Sequence, residues 1–176
     1  MTLTTVPGAR ACAMLALGLC LSAVWGTAQG ATCNVSSTGL AFGAYQPVTF
    51  AGKLTSADKT STATVTVSCT GLLSQGGYSI SLGAGSFGSG DRISTRYLNN
   101  NSNGGALMAY NIYTTAGYTT VWGNGASGSL LTGSAPLIPG SSTNTHTVYG
   151  RVPAGQTALR AGSYSDSLTM TISYSP

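Results

Sequence analysis

The chain has 176 residues, of which 42% are hydrophobic and only 6% are charged, and its formal net charge is +4. This length suits a single domain with a buried core. The apolar residues occur in alternating runs, which argues against a disordered chain. The basic residues are scattered and form no patch or stripe, so the charge pattern gives no support for nucleic-acid binding.

The N-terminus has the organisation of a secretory signal peptide. Arg10 supplies a positive end, and Ala11–Val24 is an apolar stretch too short to span a bilayer. Small residues then occupy the two positions that a signal peptidase recognises, Gly26 and Ala28. We therefore expect residues 1–28 to be removed as a signal peptide.

This cleavage site defines the predicted domain. Cleavage after Ala28 leaves residues 29–176 as one exported domain, and Gly30 and Ala31 are alternative sites. No later stretch is apolar enough to cross a membrane, so we expect the mature chain to be soluble and to pass through an oxidising compartment.

Two of the four cysteines remain after cleavage, because Cys12 and Cys20 lie in the predicted signal peptide. The simplest prediction is a disulfide between Cys33 and Cys69. A metal site that adds His146 is the alternative, but these residues lack the close cysteine spacing of zinc sites.

The first part of the domain predicts three short strands. Thr32–Ser36 and Gly39–Tyr45 are the first two, and a polar segment from Pro47 to Lys59 predicts a loop. Ser61–Cys69 alternates between apolar and hydroxyl residues, which indicates a strand with one buried face.

The middle of the chain predicts further strands separated by glycine-rich loops. Tyr78–Leu82 alternates in the same way, and Ala106–Thr114 is apolar on both faces, as expected of a central strand. Gly83–Gly90 contains a GxGxxG pattern, but the helix and the acidic residue that a dinucleotide site requires are missing, so we interpret it as a loop.

The next segment contains the candidate binding and catalytic side chains. Tyr118 and Trp122 lie among glycines and are candidates for sugar stacking, although core positions are the commoner fate of aromatic residues. Leu130–Asn144 predicts a loop and Thr145–Arg151 a strand. His146 lies in that strand, and the chain contains no nucleophile-elbow sequence for which it could act as the base. This argues against a catalytic triad.

The C-terminal stretch Gly162–Pro176 has the strongest pattern in the chain. Every odd position from 163 to 175 is Ser or Thr. The even positions are Tyr164, Asp166, Leu168, Met170, Ile172 and Tyr174. This period of two predicts one strand whose far side is covered by an earlier segment or by another chain. Asp166 interrupts the buried face, and we expect it near the open end of the strand or paired with an arginine such as Arg151.

In total the sequence predicts seven or eight short strands and no helical periodicity beyond the signal peptide. This pattern is typical of an all-β sandwich. The charged residues offer no convincing pair of catalytic carboxylates, because Asp58, Asp91 and Asp166 are the only acidic residues.

A set of short motifs in a fixed order extends this interpretation to a family. The motifs are Cys33-x-Val35, Leu40-Ala-Phe42-Gly43-x-Tyr45, Thr64–Cys69, Tyr110–Tyr113, Val121–Gly125, Tyr149–Gln156 and Gly162–Asp166. Together they resemble the spore coat protein U domain, which is also found in subunits of archaic (Csu-type) chaperone–usher pili. The resemblance covers Ala31–Pro176.

The resemblance implies an incomplete immunoglobulin-like β-sandwich that lacks its final strand. A periplasmic chaperone, and later a neighbouring pilus or coat subunit, would supply that strand, and an outer-membrane usher would assemble the fibre at the cell surface. Leu168, Met170 and Ile172 would then border the acceptor groove. The resemblance implies neither enzyme activity nor a cofactor.

One feature departs from the pattern of polymerising subunits, which carry a donor strand before their first cysteine. Cleavage after Ala28 leaves only Gln29–Thr32 before Cys33, too few residues for such a strand. We therefore expect an acceptor-only subunit at a fibre tip, or a separate coat subunit. The alternative function is an adhesin-type binding module that recognises sugar or abiotic surfaces through loops rich in aromatic residues, Gly and Asn. These loops lie around Tyr118 and Trp122 or at Asn99–Gly105.

Overall fold

The computed structural model describes residues 30–71, 76–87, 92–102, 105–135 and 140–175. In these residues the chain forms nine β-strands and one 3₁₀ helix, Arg92–Ser94. The strands are β1 (Thr32–Ser37), β2 (Lys59–Thr70), β3 (Gly77–Leu82), β4 (Arg96–Asn100), β5 (Leu107–Tyr113), β6 (Leu131–Ser134), β7 (Ser141–Val152), β8 (Tyr164–Ser165) and β9 (Met170–Tyr174). No helix in these ranges is long and apolar enough to cross a membrane. The predicted signal peptide lies outside the described residues.

The strands form two antiparallel sheets that pack face to face as an immunoglobulin-like β-sandwich. The larger sheet has six strands in the order β1-β2-β7-β5-β4-β8. The smaller sheet has three strands in the order β6-β3-β9. The edge strands β1 and β9 belong to different sheets and lie next to each other. The all-β sandwich predicted from the sequence is therefore confirmed.

The core follows from the alternation of side chains along the strands. Val65 and Val67 of β2, Ile80 of β3 and Val148 of β7 all face inward and are buried, whereas the hydroxyl residues between them face outward or lie at the rim. Burial of each such aliphatic side chain stabilises the fold by about 1.5–3 kcal/mol. The two sheets are thus held together mainly by side chains at every second position.

The disulfide between Cys33 and Cys69 is present, as predicted. The two cysteines are direct partners in the β1–β2 pairing, so the bond fixes the register of β1 at the edge of the larger sheet. The bond closes a sequence separation of 36 residues. Closing a loop of this size contributes about 3–4 kcal/mol in the loop-entropy model. The alternative of a metal site on these cysteines is wrong.

The strand predicted at Gly39–Tyr45 is absent, although part of that segment packs against the core. Gly39 and Gly43 both have positive φ values, 76° and 67°, which interrupt an extended strand. The amide N–H of Ala41 donates to the Ser61 hydroxyl rather than to a neighbouring backbone carbonyl. The segment therefore lies against the sandwich without joining a sheet.

The loop predicted at Leu130–Asn144 was also wrong, because it contains β6 and the first residues of β7. β7 pairs with β2 along its whole length, from Ser141 opposite Thr70 to Val152 opposite Lys59. Long-range pairing therefore imposes a strand on a Ser/Thr/Asn-rich segment whose local sequence favours a loop.

The single strand predicted at the C-terminus is divided between the two sheets. β8 pairs with β4 in the larger sheet, and β9 pairs with β3 in the smaller sheet. The alternation of half-buried and exposed residues nevertheless continues from Tyr164 to Tyr174. The period of two was correctly predicted, but the chain changes hydrogen-bonding partner halfway along it.

One polar contact joins the two sheets through their inner faces. The Tyr78 hydroxyl of β3 and the His146 Nε2 atom of β7 are 2.7 Å apart and share a hydrogen bond. Their rings also meet edge to face, with centroids 5.8 Å apart. Burial lowers the pKa of His146 below its ordinary value of 6.5, because the charged imidazolium is poorly solvated there. The histidine predicted to be an ordinary strand residue is therefore a contact between sheets.

This lowered pKa makes stability depend on pH in a definite direction. The unfolded chain binds a proton on His146 at a higher pH than the folded chain does, so the stabilisation is complete above about pH 6.5 and is lost as the pH falls through the folded-state pKa. We expect the free energy of unfolding to fall more between pH 7.5 and pH 5 in the wild type than in His146→Gln. Equal pH dependence in urea titrations of the two proteins would contradict this prediction.

Candidate functional site

A cavity opens between the two sheets at the edge where β1 and β9 approach each other. Its volume is about 300 Å³. Its lining is mostly apolar and comes from Ser37, Gly39, Leu40, Phe42, Ala63, Leu82, Leu98, Tyr110, Trp122, Val148, Asp166, Leu168 and Met170.

The two walls of the cavity are the segment after β1 and the segment before β9. On the first wall, Leu40 and Phe42 lie against β7 at Gly150, where an added Cβ would stand 2.8 Å from the Phe42 ring. On the second wall, Leu168 and Met170 point inward. No strand pairing joins these two segments, so the cavity stays open between them.

The floor of the cavity is held by Arg96, a fully buried arginine at the start of β4. Its guanidinium donates to the main-chain carbonyls of Gly83 at 2.9 Å, Leu82 at 3.3 Å and Trp122 at 2.8 Å. It also donates to the Asn111 side-chain oxygen at 2.6 Å. These bonds connect the end of β3, the segment after residue 120 and β5 through one side chain.

Burial lowers the pKa of Arg96, because the low-dielectric interior disfavours its charge, and the nearby Tyr110 and Asp166 oppose that effect. Asp166 makes no direct ion pair with the guanidinium. The four accepting oxygens therefore provide most of the compensation for burying this cation.

Asp166 closes one end of the cavity through hydrogen bonds. Its carboxylate accepts from the Tyr110 hydroxyl at 2.7 Å and from the backbone N–H groups of Ser86 and Ser167, both at 2.8 Å. Burial and the bond to Asp166 raise the pKa of Tyr110, so the phenol stays protonated. A Cβ atom at Gly85 would collide with this carboxylate, so a glycine is required there. The expected pairing of Asp166 with Arg151 was wrong, because Arg151 lies beside Asp58 instead.

The outer edge of β9 has no partner strand among the described residues. The N–H of Gly83 donates to the carbonyl of Thr169, so the backbone groups of the odd-numbered residues face β3. In an antiparallel ladder the intervening residues turn their N–H and C=O groups the opposite way. The polar backbone groups of Met170, Ile172 and Tyr174 therefore point away from β3, along the mouth of the cavity.

Comparison with known proteins identifies the family. The sequence matches the family model described as the Spore Coat Protein U domain over residues 20–171. The chain belongs to the spore coat protein U domain family. The matched residues begin inside the predicted signal peptide and cover both walls and the floor of the cavity.

This spore coat protein U domain is also similar to a chain in a solved structure. That structure is the crystal structure of the CsuC–CsuE chaperone–tip adhesion subunit pre-assembly complex from archaic chaperone–usher Csu pili of Acinetobacter baumannii. The TM-score is 0.46 and the identity 18%, and the match covers 82% of the present chain but only 40% of the other. A comparison with curated proteins found no match.

The fold brings together some of the residues that the sequence predicts to border the acceptor groove. Leu168 and Met170 line the cavity, and Ile172 points inward from the same strand. Trp122 lies in the cavity floor with only 2% of its surface exposed, and its indole N–H donates to the Ile80 carbonyl at 2.9 Å. Of the two alternatives that the sequence left open for Trp122, sugar stacking and a core position, the structure shows the core position. Tyr118 lies elsewhere, on the outer face of the larger sheet.

Sequence patterns did not indicate the roles of Arg96 and Tyr110. Arg96 was one of several scattered cations, and nothing in its neighbourhood marked it as buried. The low content of charged residues is the one feature of the sequence that points to Arg96, because a charge that is rare in the chain and lies beside a predicted strand is a candidate for burial. The carbonyls that surround it come from distant segments and could not be inferred from local sequence.

Replacement of Arg96 tests the importance of the cavity floor. Arg96→Met leaves buried carbonyls of Leu82, Gly83 and Trp122 without this donor, and we expect a loss of about 3–5 kcal/mol in the free energy of unfolding. Arg160→Met, at an exposed arginine, should change it by less than about 0.5 kcal/mol. Urea unfolding of the disulfide-bonded proteins measures both. A loss below about 1 kcal/mol for Arg96→Met would contradict the assigned role.

Proposed function

We propose that this chain is an exported structural subunit of a surface fibre or coat, and that it accepts a β-strand from another protein. The observation that carries the proposal is the unpaired edge of β9 beside an open apolar cavity. The membership in the spore coat protein U domain family agrees with it. The occupant would lie between β9 and the segment that contains Leu40 and Phe42.

The geometry favours an extended peptide with apolar side chains at alternate positions. The free N–H and C=O groups of Met170 and Ile172 would form ladder hydrogen bonds with its backbone, each contributing about 0.5–1.5 kcal/mol. Its inward side chains would fill the cavity, and each one of aliphatic size would contribute about 1.5–3 kcal/mol by burial. Addition of this strand would also cover an edge that otherwise promotes aggregation.

The proposed partners follow from the route of an exported subunit. A periplasmic chaperone would supply the strand first, an outer-membrane usher would receive the complex, and a neighbouring subunit would replace the chaperone strand at the cell surface. The function proposed for the cavity is structural and requires no cofactor or catalytic group.

Filling the cavity in cis tests strand acceptance. Ala63 is buried in β2 and lines the cavity, so Ala63→Phe places a ring where the incoming side chains would lie. We expect the amount of cognate chaperone that co-purifies with the chain to fall at least tenfold. The melting temperature of the variant should not fall, because the ring occupies existing space.

Ala51→Phe is the matched control, since Ala51 is exposed and lies outside the cavity lining. It should retain chaperone at the wild-type level. If folded Ala63→Phe captures as much chaperone as the wild type, the cavity does not accept the strand.

We further propose that the chain accepts a strand but does not donate one. The support is the short segment between the predicted cleavage site and Cys33, together with the use of Thr32 in the chain's own sheet, where it pairs with Thr70. Such a subunit would occupy a fibre tip or serve in a coat.

A self-assembly assay tests whether the chain can donate a strand. The purified complex with its chaperone should form no ladder of homopolymers on native gels during prolonged incubation. Adding a synthetic donor-strand peptide should displace the chaperone and still yield monomers. A ladder formed by the chain alone would show that it donates a strand.

A further inference from the structure

Three tyrosines meet on the outer face of the larger sheet, away from the cavity. Tyr113 of β5 and Tyr149 of β7 are direct partners in the strand pairing and so lie on the same face. Val148 and Val152, on either side along β7, point into the core, so the tyrosine face is the solvent face. Tyr118 reaches this face from the turn that follows β5.

The three rings form one cluster with Tyr118 at its centre. The Tyr118 ring meets the Tyr113 ring at a centroid distance of 5.5 Å and the Tyr149 ring at 6.5 Å. Both contacts are edge to face, with interplanar angles of 89° and 85°. All three side chains remain partly exposed, so the cluster is ordered without being covered.

The backbone at Tyr118 is unusual. Its φ of 53° is the only positive value at a residue other than glycine in the described part of the chain. The turn is closed by hydrogen bonds from Tyr118 N–H to Thr115 O and from Thr114 N–H to Thr120 O. A left-handed conformation is unfavourable for an aromatic residue and easy for glycine, so turn formation alone favours glycine at this position. A tyrosine kept in a strained conformation is a reason to look for a role of its side chain.

A guanidinium and a carboxylate complete the cluster and leave it without net charge. The Arg151 Cζ atom lies 5.9 Å from the centroid of the Tyr118 ring. The Arg151 Nε atom is 3.0 Å from an oxygen of Asp58, although its N–H is not directed for a hydrogen bond. The second oxygen of Asp58 accepts from the Ala154 N–H at 2.8 Å, which fixes the carboxylate. Both charged side chains remain partly exposed, at 37% and 43%.

Hydroxyl groups border the cluster on two sides. Thr60 and Thr62 of β2 are exposed and stand opposite Arg151 and Tyr149 in the sheet. In the turn, the hydroxyls of Thr115 and Thr119 lie 3.2 Å apart. An apolar platform is thus surrounded by hydrogen-bonding groups that face solvent.

We propose that Tyr113, Tyr118, Tyr149, Arg151 and Asp58, here called the tyrosine platform, bind a neutral carbohydrate chain. Tyrosine rings offer apolar faces for the C–H groups of a sugar ring together with polar hydroxyls. The ion pair offers donors from Arg151 and acceptors from Asp58 to adjacent sugar hydroxyls. The inference goes beyond strand acceptance, because the platform lies on the opposite face of the larger sheet from the cavity.

The charge and polarity of the tyrosine platform decide between ligand classes. An anionic polymer would require positive charge that is free to pair with it, but Arg151 is already neutralised by Asp58. A lipid surface would require a continuous apolar patch, whereas threonine hydroxyls and the ion pair border these rings. A neutral, hydroxyl-rich ligand with apolar ring faces suits both observations.

The test uses the exported full chain with whatever partner co-purifies, titrated calorimetrically with three neutral probes, cellohexaose, mannohexaose and chitohexaose, and with polygalacturonate as the anionic probe. At least one neutral probe should bind the wild type. Tyr118→Gly should weaken that binding at least tenfold while leaving the melting temperature equal or higher, because glycine relieves the positive φ.

Tyr118→Asn provides a second variant that tolerates the left-handed conformation, in case the glycine variant folds poorly. Tyr97→Ala is the matched control, since Tyr97 is also partly exposed and has an arginine, Arg92, over its ring at 5.5 Å. This control should bind the probe as the wild type does. Failure of all neutral probes, preference for polygalacturonate, or full binding by folded Tyr118 variants would each overturn the proposal. Capture of chaperone should be unaffected in every variant, which separates this test from that of strand acceptance.

Discussion

The structure depends on how one buried cation, Arg96, is accommodated. A guanidinium cannot be left without acceptors in a protein interior, so the chain must bring three main-chain carbonyls and the Asn111 side chain around it. Those carbonyls belong to the end of the smaller sheet and to the segment that carries Trp122. By gathering them, Arg96 sets the position of Trp122 and Leu82, and these two side chains form part of the cavity floor. The rigid base of the open site is therefore a polar network, even though its surface is apolar.

The cavity is open because the outer edge of β9 has no partner strand among the described residues. The last described segment runs along β4 as β8, changes sheets between residues 166 and 169, and then runs along β3 as β9. Asp166 stabilises this passage by accepting hydrogen bonds from Tyr110 and from two backbone N–H groups. The result is a strand with one satisfied edge and one free edge, and its inward side chains face a cavity. The proposed strand-acceptance site and the tyrosine platform lie on different faces of the sandwich, so a ligand at one would not block the other.

The sequence predicted those features that depend on local alternation. The Ser/Thr alternation at the C-terminus, the inward face of Ser61–Cys69 and the disulfide partners all follow from residue type and spacing, and they are present. Other features depend on contacts between distant segments and could not be predicted. β7 extends into a segment with loop-like sequence because β2 pairs with it. The sequence left the position of Trp122 open between core and surface, and the hydrogen bond from its N–H to the distant Ile80 carbonyl accompanies the core position. Periodicity alone left open whether an earlier segment or another chain covers the last strand, and only the family-specific order of motifs indicates another chain.

The change of sheets near Asp166 has a mechanical consequence. A strand seated beside β9 would pull along the strand axis, at right angles to the hydrogen bonds between β3 and β9, so these bonds would share the load rather than break one after another. Because the same segment continues into β8, the tension would reach the larger sheet as well, where the disulfide between Cys33 and Cys69 fastens the opposite edge. The sandwich would therefore resist extension as one body, and a joint of this kind would transmit force without unfolding the subunit.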